Sequence, residues 1–199
     1  MREMVKMVVT LTILAAAAGG LLATVKTTTA ERIEQAVLDY VQGPAVMSIM
    51  ENVTNDPLED RFALTIDNED RNFFVGKIDG VPKMVALEGK ASGYGGELGV
   101  MVGIDIETGQ IVGIGITTHS ETPGVGSRAE SDIRFLKSFV GIPVAEPDKI
   151  YIGEDDGEIA NIGGATVTAR GVATAVRRAG DMYRNNESEI KTQVEAFAG

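Results

Sequence analysis

The segment 161–168 (NIGGATVT) combines two glycines with the hydroxyls of Thr166 and Thr168. The apolar period that follows it predicts a helix beginning near Thr166. Amides at the start of a helix lack intrahelical acceptors and lie at the positive end of the helix dipole, which suits a phosphate. A threonine hydroxyl there can hydrogen-bond a phosphate, be esterified to it, or simply cap an ordinary turn. The residue types alone leave these alternatives open.

A second segment, 119–126 (HSETPGVG), follows a predicted strand directly and is punctuated by proline and glycine. Loops in that position commonly line ligand sites. His119 is the single histidine of the chain, which excludes a multi-histidine metal site and favours a structural role. Glu121 has two open interpretations: it hydrogen-bonds a ring nitrogen of a ligand, or it caps the segment that follows.

Antiparallel strands are predicted ahead of and between these segments, because runs rich in Val, Ile and Phe are bounded by turn residues. Asp79-Gly80 is a two-residue hairpin turn, and Gly109 supplies a positive φ in the turn 107–110. The last two strands are continuously apolar, which predicts that both of their faces are covered. The predicted strands are 62–66, 73–78, 81–87, 98–106 and 111–117.

One helix is predicted before segment 161–168, and a second begins within this segment, at Thr166. Residues 131–139 form a short helix with Ile133, Leu136 and Val140 on one apolar stripe, ending before Gly141. The helix from Thr166 keeps a 3.6-residue period. Its apolar positions are Val172, Ala175, Val176, Ala179, Met182 and Tyr183.

The N-terminal segment 7–25 carries no charge and is almost long enough, as a helix, to cross a membrane. A signal peptide cleaved at a small-x-small site around residues 16–18 is the competing interpretation. The apolar run continues through Leu21 and Leu22, which favours an uncleaved anchor. Arg2 and Lys6 ahead of it predict a cytoplasmic N-terminus and an extracytoplasmic domain.

A short amphipathic helix is expected next, because Thr28 and Glu31 form a capping-box pattern. Its apolar positions are Ile33, Ala36, Val37, Tyr40 and Val41. The expected organisation is an anchor over residues 1–27, with a short cytoplasmic N-terminus, and one globular domain over residues 28–199.

Composition excludes several classes of function. Acidic residues outnumber basic residues by 29 to 18, and a net charge of −11 repels nucleic acid. Cysteine is absent, which excludes disulfides and cysteine-ligated iron–sulfur or zinc sites. Redox chemistry would therefore need another cofactor. The acidic group Glu154, Asp155, Asp156 and Glu158 is interpreted as a solvated loop in preference to a cation site, and no metal is assigned.

Taken together, these features resemble the FMN-binding domain shared by the G subunit of Rnf electron transport complexes and the C subunit of the sodium-translocating NADH:quinone reductase. The resemblance extends over most of the chain, although residues 42–90 match loosely. It rests on the N-terminal anchor, on residues 93–96 (GYGG) and 100–105 (VMVGID), and on segments 119–126 and 161–168.

The resemblance implies an α+β fold, in which a single N-terminal transmembrane helix precedes an FMN-binding domain of antiparallel strands and flanking helices. It also implies that a flavin transferase joins FMN through its phosphate to Thr166, the last residue of a Ser/Thr-Gly-Ala-Thr motif. Gly163 stands where that motif has Ser or Thr, and Ala160 stands where aspartate is usual. The implied FMN-binding residues are Glu121, Thr122, Gly124, Val125, Gly163, Gly164, Ala165, Thr166 and Thr168.

The function so implied is that of an electron-carrying component of an Rnf-type ion-translocating ferredoxin:NAD oxidoreductase, which is not a complete enzyme alone. Its partners would be the other membrane subunits and the flavin transferase, and its location the inner membrane, as a single-pass protein. Three alternatives remain: a component similar to the C subunit of the quinone reductase, a membrane-tethered flavin sensor, and a secreted acidic domain without a cofactor.

Overall fold

The computed structural model describes residues 1–155 and 157–197. The chain divides into two compact units, residues 1–40 and residues 41 onward. The first unit contains the whole of helix α1 (Arg2–Val37) and the residues up to Tyr40. Its portion Arg2–Ala30 contains an 18-residue window with a mean hydropathy of 2.1, and it is long and apolar enough to cross a membrane, by length and composition.

The prediction of a separate helix starting at Thr28 is wrong, because α1 continues through this position. Thr28 does not cap a helix end. Its Oγ1 donates to the carbonyl oxygen of Thr24 at 2.9 Å, a bond that threonine makes inside a helix. After α1 come a π-helical turn, Leu38–Gln42, and helix α2 (Gly43–Ile49), which was not predicted.

The second unit is built on a five-stranded antiparallel sheet in the order β1-β2-β3-β4-β5. The predicted strands and the turn at Asp79-Gly80 are confirmed, since both turn residues have positive φ, 51° and 79°. Strands β2 and β3 extend further than predicted. The strands are β1 (Arg61–Ile66), β2 (Glu69–Ile78), β3 (Val81–Ser92), β4 (Glu97–Asp105) and β5 (Ile111–Thr118).

Both faces of the sheet are covered, as predicted for the last two strands. Helix α4 (Thr166–Asn185) packs on β3 and β4 so closely that a Cβ at Gly89 would lie 2.1 Å from the carbonyl oxygen of Ala175. Helix α2 packs on β4 and β5 across the opposite face, where Gly103 leaves room for Ile49. Five of the six predicted apolar positions of α4 are buried, and Met182 is half-buried.

The segment between β5 and α4 differs from its prediction. A 3-10 turn, Gly126–Glu130, precedes helix α3, which covers only Ile133–Lys137. The predicted apolar stripe is wrong, because Ile133 is 66% exposed while Phe135 and Phe139 are fully buried. Their rings meet edge to face at 5.3 Å. Helix α5 (Glu187–Glu195), which was not predicted, buries Ile190 and Val194.

Candidate functional site

The two segments singled out in the sequence meet around one pocket of about 550 Å³. One wall comes from the loop after β5, and the other from the first turn of α4. Predicted residues in the lining are Glu121, Thr122, Val125, Gly164, Ala165, Thr166 and Thr168. Gly124 and Gly163 lie outside the lining, and sequence reasoning missed Tyr94, Gly126 and Val167.

The turn before α4 places Thr166 at the pocket. The amide of Ala165 donates to the carbonyl oxygen of Ile162 at 2.8 Å, and Gly164 takes a φ of 80°, which favours glycine. The N-cap residue is Ala165, without a capping side chain, so Thr166 is the first helical residue and does not cap the turn. The amides of the first turn have no intrahelical acceptor. Free amide donors at the start of a helix suit an anion, and here the hydroxyl of Thr166 lies beside them.

Thr166 is half-buried, and its hydroxyl contacts a residue that sequence reasoning missed. Asn161 Nδ2 donates to Thr166 Oγ1 at 3.2 Å. Because Asn161 is the donor, the hydroxyl proton of Thr166 is left for another acceptor. The spacing of five residues gives no helical or strand signal, which explains why the sequence did not indicate this contact.

Glu121 is the buried polar centre of the site, with 7% of its surface exposed. One carboxylate oxygen accepts from the Thr168 hydroxyl at 2.7 Å, and the other accepts from the Gly95 amide at 3.1 Å. These bonds join the loop to α4 and to the β3–β4 turn. The Thr168 hydroxyl thus donates within the protein. Two contacts stay predictions: that Glu121 hydrogen-bonds a ring nitrogen of a ligand, and that Thr168 contacts its phosphate.

Glycines surround Glu121 because side chains would not fit. A Cβ at Gly93 would lie 2.2 Å from one carboxylate oxygen of Glu121, and a Cβ at Gly126 would lie 2.4 Å from the other. At Gly95 a Cβ would lie 2.1 Å from the carbonyl oxygen of Ser120. The GYGG and HSETPGVG motifs are therefore two halves of one packing arrangement.

The loop after Glu121 is a compact turn. The carbonyl oxygen of Thr122 accepts from the amides of Val125 and Ser127 at 3.2 and 3.3 Å. Gly124, at a φ of 72°, donates its amide to Ser127 Oγ at 2.9 Å. Gly124 thus shapes the loop without lining the pocket, and Val125, which does line it, is 43% exposed.

An exposed apolar rim completes the pocket. Tyr94 is 74% exposed and Val167 is 49% exposed, and both line the pocket together with Val125. A ligand with an apolar ring system would cover these side chains, which water otherwise contacts. The signal that could have identified Tyr94 is its place between the glycines of the GYGG turn.

His119 takes the structural role favoured by the sequence. Its Nδ1 accepts from the amide of Glu121 at 3.2 Å, and its Nε2 lies 3.4 Å from a carboxylate oxygen of Glu130. An accepting Nδ1 places the proton of the neutral ring on Nε2. The ring thereby connects the start of the loop to the 3-10 turn.

The acidic group near residue 155 pairs with α4. Arg170 donates to both carboxylate oxygens of Asp155 at 2.7 Å, and these hydrogen bonds lower the pKa of Asp155. Glu158 is exposed and lies 3.6 Å from Lys149 Nζ. Asp156 and the side chain of Glu154 lie outside what the structure describes. Both described carboxylates, Asp155 and Glu158, thus have cationic partners within the protein.

The two departures from the Ser/Thr-Gly-Ala-Thr pattern occupy different surroundings. Gly163 is exposed, and no described atom lies within 4 Å of the position that a Cβ would take. A serine therefore fits at position 163 without displacing a neighbour. Ala160 is half-buried and donates its amide to Ser138 Oγ at 3.2 Å.

Comparison with known proteins adds three findings. The FMN-binding domain model matches residues 93–181, which contain both walls of the pocket. The G subunit of the ion-translocating oxidoreductase complex of Vibrio atlanticus is 32% identical over 124 residues, covering 60% of this chain and 59% of that protein. The corresponding G subunit of Cronobacter sakazakii is 30% identical over 192 residues, covering 92% of each chain.

The fold has a solved counterpart. The crystal structure of Shewanella oneidensis NqrC matches with a TM-score of 0.52 at 20% identity, covering 71% of this chain and 73% of that one. This likeness concerns the fold alone, an α+β domain with an antiparallel sheet. The G-subunit relatives decide the family: the chain belongs to the G-subunit family of ion-translocating oxidoreductase complexes, with an FMN-binding domain.

Proposed function

We propose that this protein is an electron-carrying flavoprotein component of a membrane-bound, Rnf-type ion-translocating ferredoxin:NAD oxidoreductase, with FMN esterified to Thr166 through its phosphate. The observation that carries the proposal is the position of Thr166. Thr166 is a half-buried residue with its hydroxyl in the uncapped first turn of a helix, at a pocket within the matched FMN-binding domain.

The residues present fit a flavin nucleotide. Gly164 has no side chain and a positive φ, so the turn leaves space beside Thr166 for a phosphate. First-turn amides supply donors for phosphate oxygens. Tyr94, Val125 and Val167 offer apolar surface to a ring system. FMN, when attached, would supply the electron-carrying chemistry, and these residues would hold and position it.

In the proposed attachment, a flavin transferase moves the FMN group of FAD onto Thr166. Thr166 Oγ1 forms a phosphoester bond with the flavin phosphate of FAD, the phosphoanhydride bond of FAD breaks, and AMP leaves. The hydroxyl proton passes to a base of the transferase or to water. Asn161 supports this step because it donates to Thr166 Oγ1 and so orients the hydroxyl without competing for its lost proton.

The test is coexpression of the full chain with a flavin transferase, followed by denaturing electrophoresis. We expect in-gel flavin fluorescence in the wild type and none in Thr166→Val, with tryptic mass spectrometry placing FMN on the peptide that contains Thr166. Thr174→Val is the matched control on the same helix and should stay fluorescent. An unlabelled wild type, or a labelled Thr166→Val, contradicts covalent attachment at this residue.

Gly163→Ser sharpens this test. Serine restores the residue of the family motif, and the open space at position 163 accommodates it. We therefore expect faster labelling than in the wild type at limiting transferase. A slower rate would mean that the glycine itself is needed at this position.

The location in the membrane has a separate test. Because the chain has no cysteine, single cysteines can be introduced at Arg2 and at the exposed Thr192. A membrane-impermeant maleimide added to intact spheroplasts should label Thr192→Cys and leave Arg2→Cys unlabelled. The reverse pattern contradicts an extracytoplasmic domain.

The role as an electron carrier depends on partners. Copurification with polytopic membrane subunits, and reduction of the flavin through them, are the expected results. A protein that purifies alone, with a flavin that these subunits do not reduce, would instead fit a membrane-tethered flavin sensor. The family relationship to components of membrane complexes supports the carrier.

A further inference from the structure

Two arginines hold the turn that carries Thr166. Arg128 Nη2, from the 3-10 turn, donates to the carbonyl oxygen of Gly163, and its Nε donates to the carbonyl oxygen of Val125 at 3.3 Å. Arg134 Nη2, from α3, donates to the carbonyl oxygen of Asn161 at 3.0 Å. Arg128 therefore joins both walls of the pocket, and both side chains converge on the turn.

Neither guanidinium is neutralised by an acid that the structure describes. Among the described side chains, no carboxylate lies within 4.0 Å of Arg128 or Arg134, whereas Arg71 and Arg184 each pair with one. Bonds to carbonyl oxygens leave the positive charge and the remaining N–H donors of the two guanidinium groups in place. Two cations thus lie beside this turn in a chain of net charge −11.

The Arg128 guanidinium lies beside the turn that leads into Thr166. Apart from the glycine and its two chain neighbours, the nearest described heavy atom to a Cβ placed on Gly164 would be Arg128 Nη2, at 3.9 Å. Guanidinium groups recognise phosphate by charge-assisted hydrogen bonds. Their charge adds to the positive end of the α4 dipole, and both would favour a phosphate there.

We propose that Arg128 and Arg134 form a two-arginine clamp, which holds turn 161–164 in place and supplies the positive charge that receives the flavin nucleotide phosphate at Thr166. The inference rests on the proposed function and deepens it. The ligand class is the diphosphate of the flavin donor during transfer and the phosphodiester afterwards. Both arginines are positioning residues, and Arg128 is the main one because it contacts both walls.

The experiment measures the initial rate of flavin attachment to the full-length chain in detergent, with purified transferase and FAD. Arg128→Gln should slow attachment about ten-fold or more, the effect of losing a charge-assisted bond, and Arg134→Gln should slow it less. Arg128→Lys keeps the charge without the fork geometry and should be intermediate. Arg184→Gln, which removes an exposed arginine near the other end of α4, should match the wild type.

Salt dependence separates an electrostatic role from a merely structural one. The wild-type rate should fall as NaCl is raised, because salt screens the attraction between the clamp and the phosphate. The rate for Arg128→Gln should fall less steeply. The thermal midpoint of each unlabelled variant, measured in parallel, reports how far each arginine stabilises the turn, separately from its effect on salt dependence.

The outcomes separate two failures. A labelled wild type whose Arg128→Gln and Arg134→Gln variants react at the wild-type rate overturns the clamp alone. Slow variants that keep the wild-type salt dependence also overturn it, since the charge would then act only within the fold. A wild type that acquires no label contradicts the proposed function itself, and the clamp with it.

Discussion

Helices α3 and α4 begin in the same part of the fold, but their first turns are satisfied in different ways. At the start of α3, Asp132 is the N-cap residue and its carboxylate accepts from the amide of Phe135 at 3.1 Å. At the start of α4, Ala165 is the N-cap residue and no side chain caps the turn. The shorter helix has a capping side chain that the longer one lacks.

The proposed attachment of a flavin phosphate at the start of α4 gives a reason for this difference in capping. A capping carboxylate at α4 would occupy the amides that a phosphate needs and would repel it. The longer α4 tolerates an open first turn because it buries an apolar face against the sheet, whereas the five-residue α3 has less packing to hold it. An open first turn at α4 is therefore what the proposed attachment of a flavin phosphate would require.

The largest expected effect is on stability and comes from Thr168, a first-turn residue of α4 whose hydroxyl donates to a buried carboxylate. Thr168→Val removes the donor to the buried carboxylate of Glu121 and should lower the free energy of unfolding by about 2 kcal/mol. Thr174→Val makes the same change where the hydroxyl donates to the carbonyl oxygen of Arg170 and accepts from Arg177 Nη2 on the same helix, with no buried carboxylate involved, and should cost about 0.5 kcal/mol. Urea denaturation measures both, and equal costs would contradict a bracing role for Glu121.

Tyr183, near the C-terminal end of α4, is a buried polar residue whose ionisation would destabilise the fold. Tyr183 is 2% exposed, and its hydroxyl has no partner among the described residues. Burial, with smaller contributions from Glu187 and Asp105, raises the pKa of Tyr183 to about 12. The unfolded chain therefore loses this proton at lower pH than the folded chain, and stability falls as pH rises from about 10 towards 12.

The corresponding measurement is chemical denaturation at pH 9 and pH 11. The wild type should lose about 1 kcal/mol more than Tyr183→Phe between these values, because phenylalanine has no proton to release. Tyr183→Phe should be as stable as the wild type at pH 9, or more stable. An identical pH dependence in both proteins would show that the hydroxyl is in fact hydrated.

Two glycines in left-handed conformations give a matched pair. Gly164 and Gly141 have φ values of 80° and 85°, so alanine at either position should cost about 1 kcal/mol in stability. Only Gly164 lines the pocket. Flavin attachment should therefore slow in Gly164→Ala and stay normal in Gly141→Ala, as measured by in-gel fluorescence. Equal labelling in both would weaken the assignment of the turn to phosphate binding.

The smallest effects are expected from removing the capping side chain of α3 and adding one to α4. Asp132→Ala should destabilise the protein by about 1 kcal/mol through the loss of its cap. Ala165→Ser adds a capping oxygen and should stabilise the unlabelled chain by about 0.5 kcal/mol while slowing flavin attachment. The thermal midpoint and the rate of flavin attachment are measured for both variants. If Ala165→Ser labels faster than the wild type, the open amides are not needed for the phosphate.

Much of the fold could be predicted because its signals are local. Apolar runs bounded by Asp79-Gly80 and Gly109 identify the strands, and the apolar period identifies α4. The errors occur where a local pattern has two solutions. The capping box at Thr28 lies inside a continuous helix, where threonine bonds back to the preceding turn. Helix α3 is too short for a period to show that Phe135 is inward and Ile133 outward.

The site was predicted in part for the same reason. The two segments are recognisable motifs, and the structure brings them to one pocket. The contacts between them are not local: Arg128 reaches Gly163, Arg134 reaches Asn161, and Asn161 reaches Thr166. Arginine and asparagine have no spacing rule across such distances, so sequence patterns do not indicate these contacts.

The route of the chain between the two pocket walls has a consequence for maturation. The strands form a meander in which each pairs with its neighbours in sequence, whereas the loop after β5 meets Thr166 only when α4 docks across β3 and β4. The pocket is therefore complete only in a chain whose α4 has docked on the sheet. A transferase that recognises the assembled pocket would leave misfolded chains without colour, and covalent flavin would serve as a quality mark for chains ready to join a complex.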